Sequence, residues 1–221
     1  MAGPWQWAGA ALTLTGLLGG SFNPAHGGHR AISLFVREAL ELDEIWWLVS
    51  PGNPLKADAK DMAPLPARLA SARKMARRAP IRVTAIEAQM GTRYTIDTLQ
   101  KLVRRYPHRR FIWIMGADNV ANFTRWRRWR DIARLMPIAI VARPGYDDSA
   151  VAGAAMAWLR RFVRRSDQRL NWTMWSTPAL VFLRFSPDLR SATAYSQANP
   201  DWHRDYEGKR VIDGVTHKSV Y

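Results

Sequence analysis

The chain has 221 residues, 48% of them apolar, no cysteine, and 33 Lys plus Arg against 18 Asp plus Glu, a formal charge of +15. This length suits one sizeable domain with a real core, and the lack of thiols excludes disulfides and thiolate metal sites and points to a reducing cytoplasm. No apolar run approaches the roughly 20 residues that span a bilayer, so no membrane partner is expected.

In chain order, residues 1–12 read as an apolar N-terminal extension without the basic start of a signal peptide. The run Leu12–Leu18 predicts a buried strand, and Gly19-Gly20-Ser21-Phe22-Asn23-Pro24-Ala25-His26-Gly27-Gly28-His29 follows as a glycine-rich turn. Helical periodicity then covers Arg30–Leu42, and Glu44–Val49 predicts the second strand. The loop Ser50-Pro51-Gly52-Asn53-Pro54-Leu55-Lys56 leads to a helix over Pro66–Arg78 and a strand over Ile81–Ala85. Next comes Gly91-Thr92-Arg93-Tyr94-Thr95, with Thr95 expected to cap a helix over Thr95–Tyr106, and then a strand over Phe111–Met115. Gly116-Ala117-Asp118-Asn119 precedes a helix over Trp126–Leu135, and Phe123, Trp126 and Trp129 recur at three-residue steps. That spacing is ordinary for a core stripe, but the interleaved arginines leave room for one tryptophan at the rim of a cleft. The strand Ile138–Val141, a rigid turn from Arg143 to Tyr146, a helix over Ala150–Arg164, a loop over Thr173–Pro178 and a strand over Leu180–Phe185 complete the pattern. From residue 199 the chain turns polar and aromatic, and 199–221 read as an atypical tail or a loosely packed cover.

Short apolar strands alternating with amphipathic helices define an α/β class. The expected architecture is a single domain, residues 1–221, with a Rossmann-like, doubly wound, mainly parallel sheet and helices on both faces. Ligands of such sheets sit beyond the carboxyl ends of the strands, so the loops after strands carry the chemistry. At the first loop, glycines admit backbone N–H groups close to an anion, and the new helix aims its positive end there. His26 and His29 lie on one face, as donors to phosphate charge, as a surface pair, or as two metal ligands. Lys56 supplies a mobile ammonium suited to phosphate. Gly116 with Asp118 suits a ribose hydroxyl, and Tyr94 offers a ring for stacking. The arginines spread over several predicted helices, at 104–110, 125–130 and 160–169, without an RNA- or DNA-binding signature. No specific nucleic acid is therefore expected, and a polyphosphate ligand accounts for the sign of the charge.

The pattern at Gly20, Phe22, Pro24, His26, Gly28 and His29 resembles the signature of the HxGH nucleotidyltransferases. With PGNPLK, RYTIDTL, GADNVANFTRWRRW and VARPGY, the resemblance narrows to the bacterial nicotinate-mononucleotide adenylyltransferases, over about residues 15–193. It implies transfer of AMP from ATP to nicotinate mononucleotide, giving nicotinate adenine dinucleotide and pyrophosphate in NAD biosynthesis. It also implies catalytic roles for His26, His29 and Lys56, and ATP contacts from Gly20, Ser21, Phe22, His26, Gly28, His29, Gly116, Asp118, Arg143, Ser191 and Thr193. Asn23, Lys56, Tyr94, Thr95 and Trp126 would contact nicotinate mononucleotide. Mg²⁺ is expected to travel with ATP, needing no dedicated metal site, and a homo-oligomer is left open. The family's closing motif S-[ST]-T-x-[IL]-R is incomplete: Ser191 and Thr193 match, but Ser196 stands where arginine is expected, leaving Arg190 or Arg184 as substitutes. Rival readings are a sister enzyme using nicotinamide mononucleotide or phosphopantetheine, a non-catalytic nucleotide-binding protein, and an RNA-associated protein.

Overall fold

A computed structural model describes residues 12–52, 62–142, 153–186, 201–208 and 210–221. In chain order these form β1 (Thr13–Gly20), α1 (Gly27–Ala39), β2 (Glu44–Val49), α2 (Leu65–Met75), β3 (Ile81–Thr84), α3 (Ile86–Gln89), α4 (Thr95–Arg105), β4 (Arg109–Gly116), α5 (Ala117–Asn122), α6 (Trp129–Leu135), β5 (Ile138–Ala142), α7 (Ala154–Leu159), β6 (Val163–Arg164), β7 (Leu180–Arg184), β8 (Val211–Ile212) and β9 (Ser219–Val220). Single-turn or short 3-10 segments lie at Phe123–Arg125, Arg160–Phe162, Ser166–Met174 and Trp202–Tyr206.

Seven strands pair in the order β3-β2-β1-β4-β5-β7-β6, every pair parallel. The chain winds outward from β1 to β3 and returns beside β1 as β4 before winding the other way. The doubly wound Rossmann-like expectation is thus realised, and its reversal point lies between β1 and β4. Alternation along β2 divides the core. Trp46 and Leu48 join one apolar cluster, while Ile45, Trp47 and Val49 join the other, so both faces of the sheet are covered. Gly16 permits this tightness in mid-strand, because a Cβ there would lie 2.6–2.9 Å from Ile45, Ile114 and Leu42.

Several boundaries differ from the sequence expectation for local reasons. β1 runs on through Gly20, since both glycines pair with β2 (Gly19 with Leu48, Gly20 with Val49). α1 starts at Gly27, just after His26, and stops at Ala39 because Glu41 turns into the left-handed region at φ 50°. Arg128 does the same at φ 52°, so helix α6 begins at Trp129 instead of Trp126. Tyr94, and not Thr95, occupies the cap position of α4. The helix expected over 150–164 is confined to Ala154–Leu159, followed by a 3-10 turn and β6, and the 3-10 segment before the 173–178 loop extends to Met174. That segment docks on α1: Trp172 Nε1 donates to the carbonyl of Leu40 (3.1 Å) and Arg169 Nε to that of Ala39 (3.0 Å), satisfying acceptors left over at the helix end.

The tail departs furthest from expectation. Its residues 210–221 are no loose cover. β8 and β9 form an antiparallel hairpin, and Asp213 beside them is fully buried against the end of β3.

Candidate active site

Beyond Gly20 the chain turns through Ser21–His26 into α1. Phe22 adopts φ 47°, a state costing a side chain about 1–2 kcal/mol. Burial offsets that cost. Phe22 is 1% exposed, its ring stacked on Trp47 at 5.0 Å and 4.8 Å from the ring of His29. His26 takes the cap position of α1, and its ring centroid lies 3.8 Å from that of His29. The backbone N–H of His26 donates to Nδ1 of His29 (3.2 Å). Neutral His29 therefore carries its proton on Nε2 and presents a donor there. A relay behind it fixes the helix, with Trp47 Nε1 donating to Ser33 Oγ (2.7 Å) and Ser33 Oγ donating to the carbonyl of His29 (2.8 Å). The first turn of α1 holds no acidic side chain, so no carboxylate within that turn offsets the positive end of the helix.

A cavity of about 540 Å³ opens at the carboxyl ends of β1, β2 and β4. One side is backbone-rich, with Gly19, Gly20, Ser21, Ser50 and Gly52. The other is aromatic and basic, with Arg93, Tyr94, Thr95, Trp113, Arg125, Trp126 and Arg127. Trp126 is held edge-on by Phe123 (5.4 Å) and Trp113 (6.2 Å), and the guanidinium of Arg127 lies 4.6 Å from the centroid of the Tyr94 ring. Trp129 turns away to pack edge-on against Trp158, so one tryptophan of the pair faces the cleft and the other the core. At the floor, Gly116 allows close approach, because Asp118 Oδ1 occupies the place a Cβ would take.

Among the predicted site residues, Gly20, Ser21, Gly116, Tyr94, Thr95 and Trp126 line one cavity, although they come from four separate segments of the chain. His26, His29, Phe22 and Gly28 cluster at the start of α1, just past its Gly20–Ser21 side. Asp118 sits exposed in the first turn of α5. Asn23 has a tethering contact: its Oδ1 accepts from the backbone N–H of Ala63 (3.1 Å), and it does not line the cavity. Arg184 ends β7 as an exposed side chain. Lys56, Arg143, Arg190, Ser191, Thr193 and Ser196 lie outside the described residues. Among the described residues no group of three or more His, Cys, Asp or Glu is placed to hold a metal ion, so the two histidines have no third ligand of those types there.

Sequence reasoning missed three contributors. Arg68 is 1% exposed and donates to the carbonyls of Ala63, Ser21, Ser50 and Pro51 (2.6–3.3 Å), tying the loops after β1 and β2 to the base of α2. Its helix, Leu65–Met75, also carries Arg73 and Lys74, so nothing in the sequence marks this arginine out. Glu87, on α3, lines the aromatic side, and burial pushes its carboxyl up to about 7, against the opposing hydrogen bond from Thr98. Arg93 borders the same wall beside Tyr94, and its neighbourhood to that ring could have marked it.

Residues 17–192 match the family model described as cytidylyltransferase-like. Fold, glycine turn and histidine pair together define a nucleotidyltransferase of the Rossmann-like class. A probable nicotinate-nucleotide adenylyltransferase of Erythrobacter litoralis is 62% identical over 212 residues, covering 96% of this chain and 96% of that protein. Another, of Parvibaculum lavamentivorans, is 49% identical over 179 residues, covering 81% and 89%. The chain belongs to the nicotinate-nucleotide adenylyltransferase family. Among solved structures, Plasmodium falciparum nicotinic acid mononucleotide adenylyltransferase, complexed with APC or with NaAD, shares the fold. The TM-scores are 0.56 and 0.57 at 13% and 14% identity, over 78% of this chain and 75% of that one.

Proposed function

We propose that the protein transfers the adenylyl group of ATP to nicotinate mononucleotide. A 5′-phosphate oxygen of the mononucleotide forms a bond to the α-phosphorus in line with the departing oxygen. The bond to the β-phosphate bridge breaks, and its electron pair leaves with pyrophosphate. The attacking phosphate is already ionised at neutral pH, so the protein needs no covalent nucleophile; positioning and charge stabilisation carry the reaction. The observation that carries this reading is the join of two unlike surfaces at the β1/β4 reversal. A glycine turn with paired imidazoles meets an aromatic wall edged by guanidinium groups.

In this reading His29 Nε2–H donates to a phosphate oxygen and His26 assists beside it, while Gly20, Ser21, Phe22 and Gly28 shape the turn around the triphosphate. Gly116 and Asp118 take the adenylate ribose. Tyr94, Thr95 and Trp126 take the pyridine, and Arg93, Arg125 and Arg127 favour a carboxylate over an amide on that ring. Lys56, Arg143, Ser191 and Thr193 complete the phosphate and adenylate contacts, and Asn23 acts through the segment it tethers. Among the described residues no donor set near the cleft fits a protein-held ion. Mg²⁺ on the nucleotide, with phosphate and water as its ligands, suits the cleft better, and no step here is routed through the metal.

Pyrophosphate release with ATP and nicotinate, nicotinamide and phosphopantetheine acceptors in parallel tests the assignment. Nicotinate mononucleotide should give the highest kcat/KM, and His29→Ala should lower its turnover by about 100-fold or more with the fold intact. Equal or better use of another acceptor, or near-normal turnover in His29→Ala, would sink the substrate or the mechanism respectively.

A further inference from the structure

The last hairpin is bonded into a wall of the cleft from more than a hundred residues away in sequence. One oxygen of Asp213 closes its own turn, accepting from the N–H groups of Val215 and Thr216 (2.9 Å each). The other leaves the tail altogether. Asp213 Oδ2 accepts from Thr84 Oγ1 (2.9 Å), from the backbone N–H of Ala85 (2.7 Å) and from Gln89 Nε2 (3.3 Å). These partners bracket α3: Thr84 Oγ1 in turn accepts from the N–H of Ile86 (3.1 Å), the first of the helix. The tail carboxylate thus holds the cap residue Ala85 directly and, through Thr84, the start of the helix. Beside it, the N–H of Gly214 donates to the carbonyl of Val83 (2.8 Å), an approach close enough that a Cβ on Gly214 would lie 2.7 Å from that oxygen.

What α3 carries makes this more than an edge seal. Glu87 of α3 lines the cleft, and its carbonyl accepts from Thr92 N (3.0 Å) and Thr92 Oγ1 (3.3 Å). The hydroxyl of Thr92 bonds that of Thr98 at 2.8 Å, and the N–H of Thr98 donates to the carbonyl of Tyr94 at 3.2 Å. An unbroken path of hydrogen bonds and short covalent links therefore runs from Asp213 through α3 to Tyr94 and Thr95.

We propose that the C-terminal hairpin is a positioning element for the acceptor side of the active site, with Asp213 anchoring α3 at Thr84, Ala85 and Gln89 and so setting where Tyr94 and Thr95 meet the pyridine nucleotide. The proposal rests on the reading above that Tyr94, Thr95 and Trp126 contact nicotinate mononucleotide. A purely structural hairpin would change stability alone. A positioning hairpin changes KM for one substrate and not the other.

The full chain carrying Asp213→Asn, and separately Gly214→Ala, should be assayed at a temperature where each remains folded by circular dichroism, with Trp126→Ala alongside. Asp213→Asn should raise the KM for nicotinate mononucleotide about tenfold, with the KM for ATP within about twofold of the unaltered protein, because a displaced wall misplaces only the substrate it holds. Gly214→Ala, which pushes on the same contact without touching the carboxylate, should shift the same constant in the same direction, and keeps the test open if Asp213→Asn does not fold. If the folded hairpin variants lose Tm but keep the acceptor KM, while Trp126→Ala raises it, the hairpin is only a buttress and the proposal is wrong. If Trp126→Ala itself leaves the acceptor KM unchanged, the assignment of the pyridine side fails first, and this inference with it.

Discussion

Glu87 sits where its surroundings favour the neutral acid. Burial raises its carboxyl from 4.5 to about 7, and the hydrogen bond from Thr98 only partly opposes this. Between those values the folded protein binds a proton that the unfolded chain has released, so this group makes stability fall as pH rises from about 4.5 to about 7. Below that window it contributes nothing, and above it the full penalty applies, at most about 3 kcal/mol for a shift of this size. Glu87→Gln should therefore melt higher than the unaltered protein at pH 8 and no differently at pH 4.5. Thermal scans at the two pH values check it, and a stability difference independent of pH would contradict the assignment. His29 illustrates the opposite limit at the same scale, where one backbone N–H decides which nitrogen of the neutral ring carries the proton.

Individual elements are joined at the cleft by one buried cation. α2 contributes Arg68, whose guanidinium reaches carbonyls from the loops following β1 and β2 as well as its own base. Burial holds its pKa below the usual arginine value, and its hydrogen-bond partners among the described residues are all backbone carbonyls. Its removal would strand several buried acceptors together. Arg68→Ala should cost at least about 3 kcal/mol in urea denaturation, since each stranded acceptor carries its own desolvation penalty. Arg68→Lys should recover only part, because an ammonium on a single stem does not reproduce the planar fork. A loss below about 0.5 kcal/mol, the range of ordinary surface substitutions, would remove Arg68 from this role. The same scale explains α6. The periodic tryptophans suggest one continuous helix from Trp126, whereas Arg128 breaks it and lets Trp126 and Trp129 point into different surroundings.

Across the whole molecule, a formal charge of +15 works against compactness through self-repulsion. Aromatic faces cover some of it: Arg130 lies over Trp129 at 4.7 Å, and Arg109 over Trp46 at 4.8 Å. Most of the arginines remain at the surface, where salt screens them within about 10 Å at 0.1 M. Raising KCl from about 20 to about 200 mM should then lift the melting temperature by a few degrees, as screening of repulsion outweighs screening of the few exposed ion pairs. A fall in Tm over that range would mean that the ion pairs dominate.

The strands, the fold class and the glycine–histidine turn were readable from the sequence because they rest on local periodicity and on residues adjacent in the chain. Ile45, Trp47 and Val49 alternate with Trp46 and Leu48 whether or not the rest of the protein is present. The buried roles of Arg68 and Asp213, and the acid on α3, were not. An arginine in a helix or an aspartate in a polar tail has the same composition when solvated as when buried, and only packing withdraws the water that decides its partners. Linear order thus determined which loops meet at the sheet's carboxyl edge. Tertiary structure alone decided which polar groups lie inside it, because burial is a property of neighbours brought together from distant positions in the chain.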